Sequence, residues 1–523
     1  MKIRSLLLFV YIGIISSLNA KISTPAIFGS NMVLQQNHKC PVWGKAEKLS
    51  TISLSFSGKT YQTRADEKGN WRVYLDPHPA SNNPLKMRIV EESPNRKENT
   101  SSLTYENILV GEVWLCSGQS NMQWSVSRSE DSDLESLSAH YPNLRLITIP
   151  HIGTQEPQHD FKGAWQAANP TTAANFSAVG YFFGRRLHQI LQVPVGLVNN
   201  SWGGSACEAW IPRDRLVQCK LAKPYLEEWQ TKEKNHDFDS QLQDYKKRLA
   251  KWESDRKQGN AKIRRPREPR NPMSGQHRPA NLYNGVLYPI IGYGIKGAIW
   301  YQGESNAGRA HAYSETFPLM IQTWREAWNQ GDFPFYWSQL ADFRNEVDTP
   351  GDSSWAELRE SQTLTLKELK NVGEAVIIDA GEGHDIHPRN KQTVANRLLR
   401  HALVNEYGHQ IPNRSPTYKS HEIIGNKIQI TFDQTGDGLY CFDTKSPVGF
   451  AICGVDQKFV WAEANLIGKD KVEVWSDSIS SPFAVRYAWS DNPVCNLYRK
   501  DGAVTLPVTP FRTDNFLLTT TGK

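Results

Sequence analysis

Two rhythms of apolar and polar residues divide the chain. Between residues 21 and 106 the period is two. Thr51-Ile52-Ser53-Leu54-Ser55-Phe56 alternates, as do Trp71-Arg72-Val73-Tyr74-Leu75 and Leu85-Lys86-Met87-Arg88-Ile89-Val90. Short alternating runs broken by Ser57-Gly58 and Lys68-Gly69-Asn70 predict a small β-sandwich or jelly roll. From about Asn107 the alternation gives way to mostly apolar runs: Val113–Cys116, Leu144–Ile147, Val195–Val198, Ile295–Tyr301, Phe335–Leu340 and Glu374–Ile378. Such strands are buried on both faces, as in a parallel sheet covered by helices. Segments with helical patterning fall between them, Ser129–Ala139 and Phe176–Leu191 among them, so an α/β core is expected over 107–410. Residues 213–283 interrupt the rhythm as a charged helical insertion with a solvated face, ending in the basic run Lys262–Arg267. From about 411 to 523 period-two runs return (Lys427–Phe432, Val472–Trp475, Ala484–Trp489, with the apolar Phe450–Cys453 between), which predicts a second β domain.

In a doubly wound parallel sheet, ligands bind beyond the carboxyl ends of the strands. Polar, glycine-bearing motifs follow several of the apolar runs. Gly118-Gln119-Ser120-Asn121-Met122 comes after the first, Ser201-Trp202-Gly203-Gly204-Ser205 after the third, and Gln302-Gly303-Glu304-Ser305-Asn306 after the fourth. His384-Asp385-Ile386-His387-Pro388 follows the last. A serine on a sharp turn after a buried strand is the arrangement of an activated nucleophile. On local grammar alone it is more commonly a helix N-cap. Acyl transfer needs a nucleophile, a base, a group to orient the base, and donors for the oxyanion. Ser120, His387, Asp385 and the pair Gly203 and Asn306 match those roles in turn. Glu304 is open to two readings, a catalytic carboxylate or a structural hydrogen-bonder.

Composition narrows the class. The 523 residues exceed one hydrophobic core and suggest two to four domains. A net charge of +6 is small for this length and lacks the footprint of nucleic-acid binding. Seven cysteines without a Cys-x-x-Cys pair argue against a thiolate metal site. Cys441, Cys453 and Cys495 are close enough in the chain to pair across a late β domain, and Cys116 reads as a small buried hydrophobe. Met1-Lys2-Ile3-Arg4, the apolar Leu6–Ile15 and Leu18-Asn19-Ala20 have the form of a signal peptide over 1–20, so a secreted or periplasmic protein is expected. No later stretch is long and apolar enough for a membrane span.

The four motifs together, Gly118–Met122, Ser201–Ser205, Trp300-Tyr301-Gln302-Gly303-Glu304-Ser305-Asn306-Ala307 and Asp385–Pro388, resemble the sialate O-acetylesterase family of the SGNH hydrolases. The resemblance spans about 107–410, and the flanking β domains also resemble that family's architecture. It implies a flavodoxin-like three-layer α/β/α core with flanking β-sandwiches. It also implies an esterase that needs no metal or other cofactor and takes O-acetyl groups from sugars, notably sialic acids. By motif, Ser120 is the nucleophile, His387 and Asp385 complete the triad, and Gly203 and Asn306 are oxyanion donors. Gln119, Gln302 and Glu304 are expected at the substrate. Two spacings differ from the wider superfamily. The last block is Asp-x-His rather than Asp-x-x-His, and Asn306 stands three residues after Gly303 rather than two. The competing expectations are an esterase of acetylated xylan and a sugar-binding protein on an inactive hydrolase scaffold.

Overall fold

The computed structural model describes residues 21–94, 101–258 and 264–523. The signal peptide expected over 1–20 lies outside the described residues, as do Lys262 and Ile263 of the basic run. The amino-terminal part contains strands β1 (Val33–Gln35), β2 (Pro41–Lys45), β3 (Thr51–Phe56), β4 (Lys59–Arg64), β5 (Asn70–Tyr74) and β6 (Ser81–Glu92). Strand β3 pairs antiparallel with β4 and β6, and β2 pairs with β5. The period-two pattern does what it predicts: Ile52, Leu54 and Phe56 are buried, as are Trp71 and Val73 on β5.

Strand β7 (Ser101–Gly118) is the spine of the molecule. Its first half alternates in exposure and pairs with β6, and from Ile108 onward every residue is buried. One strand thus starts in antiparallel pairing with β6 and ends as the central strand of a parallel sheet. The boundary expected at 106/107 falls inside this continuous strand.

The parallel sheet adds β8 (Tyr141–Thr148), β9 (Gln166–Ala168, antiparallel at the edge), β10 (Val195–Asn199), β11 (Gly297–Tyr301), β12 (Phe335–Ser338) and β13 (Val372–Ala375). The spatial order is β13-β12-β11-β7-β10-β8-β9. Taking β7, β10, β11, β12 and β13 as strands one to five, the order is 2-1-3-4-5, that of a flavodoxin-like sheet, with β8 as an extra parallel strand outside β10. The fold expected over 107–410 is therefore present, with small shifts at strand ends.

Helices Ala178–Leu191 and Lys391–Asn405 cover one face of the sheet, and Ala310–Trp328 and Ser354–Glu368 the other. Ala178–Leu191 starts where Ser177 Oγ accepts from Gly180 N–H and stops where Gln192 turns left-handed. Its Val179, Phe182, Phe183 and Leu187 are buried at helical spacing. Alternation along β11 serves both layers: Ile299 and Tyr301 join the core of one face, Ala298 and Trp300 that of the other.

The insertion is helical, as its charge pattern suggests. Helix Phe238–Lys257 buries only Tyr245 among its residues. The carboxyl-terminal part is antiparallel: one sheet runs Thr417–Ile424, Lys427–Asp433, Lys471–Trp475, Glu463–Ile467, and a second is built on Phe450–Cys453 and Ala484–Tyr487. Ile428, Ile430, Val472 and Val474 share a core with Ile452 and Val485. The disulfides considered for this region do not form: all seven cysteines are free thiols. Cys116 is fully buried, and burial pushes its thiol far above the ordinary range. No helix among the described residues is long and apolar enough to cross a membrane.

Candidate active site

The site lies at the carboxyl ends of β7, β10 and β11, where the strand order reverses direction. Strand β7 ends at Gly118 with φ of 135°. A Cβ there would run into the Tyr301 carbonyl of β11, so only glycine lets the two strand ends close this tightly. Gln119 N–H then donates to that carbonyl at 2.9 Å, and Ser120 begins a single helical turn, Ser120–Gln123.

Ser120 Oγ lies 2.9 Å from His387 Nε2. The imidazole is held flat against Trp124, with ring centroids 4.7 Å apart and planes at 11°. Asp385 Oδ1 accepts the His387 backbone N–H at 2.9 Å and lies 3.6 Å from Nδ1. Asp385 thus shapes the loop with a true hydrogen bond and faces the ring from just beyond hydrogen-bond range. Burial lowers the His387 pKa. The Asp385 carboxylate opposes that, while the Lys391 and Arg128 cations reinforce it. The balance lies below the ordinary imidazole value, so the ring is neutral at pH 7 and able to accept a proton.

Gly203 packs against Ser120: a Cβ on it would lie 3.4 Å from the Ser120 Cβ. Its N–H donates to Gln123 Oε1 at 2.7 Å. A carbonyl of the protein itself therefore sits on this N–H, carried by an exposed and movable side chain.

Asn306 is fully buried. Its Oδ1 accepts from Cys207 N–H (2.9 Å) and Gln302 Nε2 (2.8 Å), and its Nδ2 donates to Glu208 Oε2 (3.0 Å). The second Nδ2 hydrogen has no partner among the described residues. Two of the side chains expected at the substrate are buried and hydrogen-bonded within the protein. Gln302 is 0% exposed and bonded to Ser205 O, Asn306 and Tyr313, and Gln119 is 3% exposed and accepts from the N–H groups of Gly303 and Ser305. Their amides satisfy the backbone of loops that cross beneath the site, which water cannot reach. Glu304 is also engaged inward: its Oε1 accepts from Asn121 Nδ2 at 2.5 Å, and burial raises its pKa.

Among the described residues no three His, Cys, Asp or Glu side chains gather as a metal site. A profile of the family described as "Carbohydrate esterase, sialic acid-specific acetylesterase" matches residues 280–403. The chain is 29% identical to the rat (Rattus norvegicus) sialate O-acetylesterase and 28% identical to the mouse (Mus musculus) enzyme. The rat alignment covers 92% of both chains, and the mouse alignment covers 95% of this chain and 97% of the mouse protein. A crystal structure of a carbohydrate acetylesterase from Xanthomonas citri superposes with a TM-score of 0.77 at 35% identity, covering 95% of this chain and 100% of that one.

The chain belongs to this carbohydrate acetylesterase family. It is an ester hydrolase on a doubly wound sheet, and the family match runs through β11, β12, β13 and the His387 loop. Three residues of this esterase's site carry no signal in the motifs. Trp124 is one helical turn after Ser120, and a Trp at that spacing reads as core until His387 is placed on its face. Gln123 reads as a solvent-facing residue of the turn. Lys391 is the least legible: lysine is rarely buried without a charged partner, yet here it is 0% exposed, at the first position of a helix.

Proposed function

We propose that this esterase removes O-acetyl groups from sialic acids through an acetyl-Ser120 intermediate, with Ser120, His387 and Asp385 as its triad. The 2.9 Å approach of His387 Nε2 to Ser120 Oγ carries the reading. His387 takes the Ser120 proton as Oγ bonds to the acetyl carbon. The tetrahedral oxyanion is received by the N–H groups of Ser120 and Gly203 and the remaining Asn306 Nδ2 hydrogen. Gln123 must leave Gly203 as the substrate oxygen arrives. Collapse breaks the bond to the sugar oxygen, which receives the proton from His387. Water, deprotonated by the same ring, then cleaves the acetyl-serine to acetate. Export guided by residues 1–20 would place the activity outside the cytoplasm, where glycans are exposed, and amino-terminal sequencing of the mature protein tests it.

The sialic acid substrate is supported by the names of the rat and mouse relatives. A broader sugar specificity is the second reading, favoured by the 35% identity to a protein described only as a carbohydrate acetylesterase. Acetate release from O-acetylated sialic acids and from acetylated xylan, measured side by side, separates them. Ser120→Ala is expected to lower turnover of an aryl acetate by roughly 10⁴-fold or more with the fold intact. Retained hydrolysis would remove Ser120 from its role.

A further inference from the structure

Beneath the serine turn, one buried amide touches two of the loops that carry the proposed chemistry. Asn121 is 1% exposed and adjoins Ser120. Its Nδ2 donates to Glu304 Oε1 (2.5 Å) in the Gly303–Asn306 loop and to the carbonyl of Ile386 (3.0 Å), the residue before His387. Its Oδ1 accepts from Lys391 Nζ at 2.6 Å, at the start of the helix that follows the His387 loop. Both donors and the acceptor are thus used, each on a different segment. The Lys391 ammonium has no other hydrogen-bond acceptor among the described residues and lies over the Tyr301 ring, 5.2 Å from its centroid.

Because Oδ1 is held by a cation, the amide cannot flip, and its NH₂ is forced toward Glu304 and Ile386. The Ile386 bond sets the height of the His387 loop against the turn that bears Ser120. We propose that Asn121 and Lys391 are positioning residues of this esterase: Asn121 sets the distance between Ser120 and His387, and Lys391 fixes Asn121. This rests on the assignment of Ser120 and His387 above.

The charged and titratable groups around His387 are Asp385 on its own loop, Lys391 behind it and Arg128 beyond Trp124. Those acting on Lys391 are Glu304, Glu382 and Asp385, which only partly offset a burial that brings its pKa down to about 7. The Lys391 charge lowers the His387 pKa, so removing it lets that pKa rise.

The test uses the full chain and an aryl acetate, with wild type and Ser120→Ala as references. Asn121→Asp keeps the shape but cannot donate to Ile386 or Glu304, and should lower kcat by roughly 10- to 100-fold with little change in KM. Lys391→Met should lower kcat and move the acid limb of kcat/KM to higher pH. Asn121→Ala is small and uncharged and decides the kcat-against-KM split if either variant loses its cooperative melt. Wild-type kcat in the Asn121 variants, an unmoved acid limb in Lys391→Met, or an effect on KM alone overturns the proposal. An inactive wild type, or an active Ser120→Ala, instead overturns the assignment of the nucleophile and leaves the two failures distinguishable.

Discussion

His387 is the residue whose environment makes the sharpest claim. A base must be neutral to act, and burial lowers its pKa below the ordinary 6.5. Activity should therefore be flat through neutral pH and fall only as the pH drops through that lowered value, with kcat/KM against pH as the measurement. A limb above pH 7 would mean that Asp385 outweighs burial. Asp385 lies 3.6 Å from Nδ1 and its side chain is 55% exposed, so in the proposed mechanism it would stabilise the imidazolium through water-screened charge more than through a hydrogen bond. Asp385→Asn should then cost roughly 10- to 100-fold in kcat, less than the 10⁴-fold of a buried triad aspartate. That the aspartate sits beside His387 was legible from its place in the motif, but its distance and exposure were not, since both depend on how the 382–387 turn closes.

At the scale of elements, the strands were the most legible part. Val113–Cys116 and Val195–Val198 are unbroken because helices cover both faces, and no solvent face exists to impose alternation. The loops that follow them were legible as positions but not as contacts. Gln119 and Gln302 look like substrate ligands in sequence because polar side chains at strand ends usually face the ligand. Here loop crossings leave backbone groups buried, and the glutamines are consumed in satisfying them. The two glycines of the site separate these roles. Gly118→Ala, strained at φ of 135° and aimed at the Tyr301 carbonyl, should destabilise the β7–β11 junction by about 3 kcal/mol or more, read from a denaturant midpoint. At Gly203, φ is not positive, and the nearest atom to a new Cβ is the end of a flexible side chain, Gln123 Oε1 at 2.8 Å. Gly203→Ala should therefore fold normally and lose roughly 10-fold or more in kcat by crowding the oxyanion position. A fold lost in Gly203→Ala and kept in Gly118→Ala would reverse this assignment.

Across the whole molecule, the carboxyl-terminal sheets are tied to the site through helix Ser354–Glu368. Arg359 on that helix is fully buried and donates to the carbonyls of Leu340 and Ala341 after β12 and of Ser490 and Asp491 from the carboxyl-terminal part, at 2.7–2.9 Å. Burial brings its pKa down to about 10, still protonated at neutral pH, so the four carbonyls share a permanent cation. Glu357 on the same helix accepts from the N–H and hydroxyl groups of Thr519 and Thr520 near the end of the chain. Gln362, one turn further on, donates to the Gln302 carbonyl at 3.1 Å, and Gln302 holds Asn306. Val376 and Ile378, directly after β13 and ahead of the His387 loop, are packed in the carboxyl-terminal core rather than in that of the sheet. A chain ending at residue 410 would keep Ser120, Asp385 and His387, yet it would expose Val376 and Ile378 and leave Arg359 and Glu357 short of partners. It should lose nearly all aryl acetate turnover and all labelling of Ser120 by a fluorophosphonate, while circular dichroism still reports helix. Arg359→Met in the full chain should reproduce part of the loss, lowering stability by about 3–5 kcal/mol because four buried carbonyls lose their donor. Wild-type turnover from the shortened chain would mean that the carboxyl-terminal sheets are an appendage and that the helix holds Gln302 unaided.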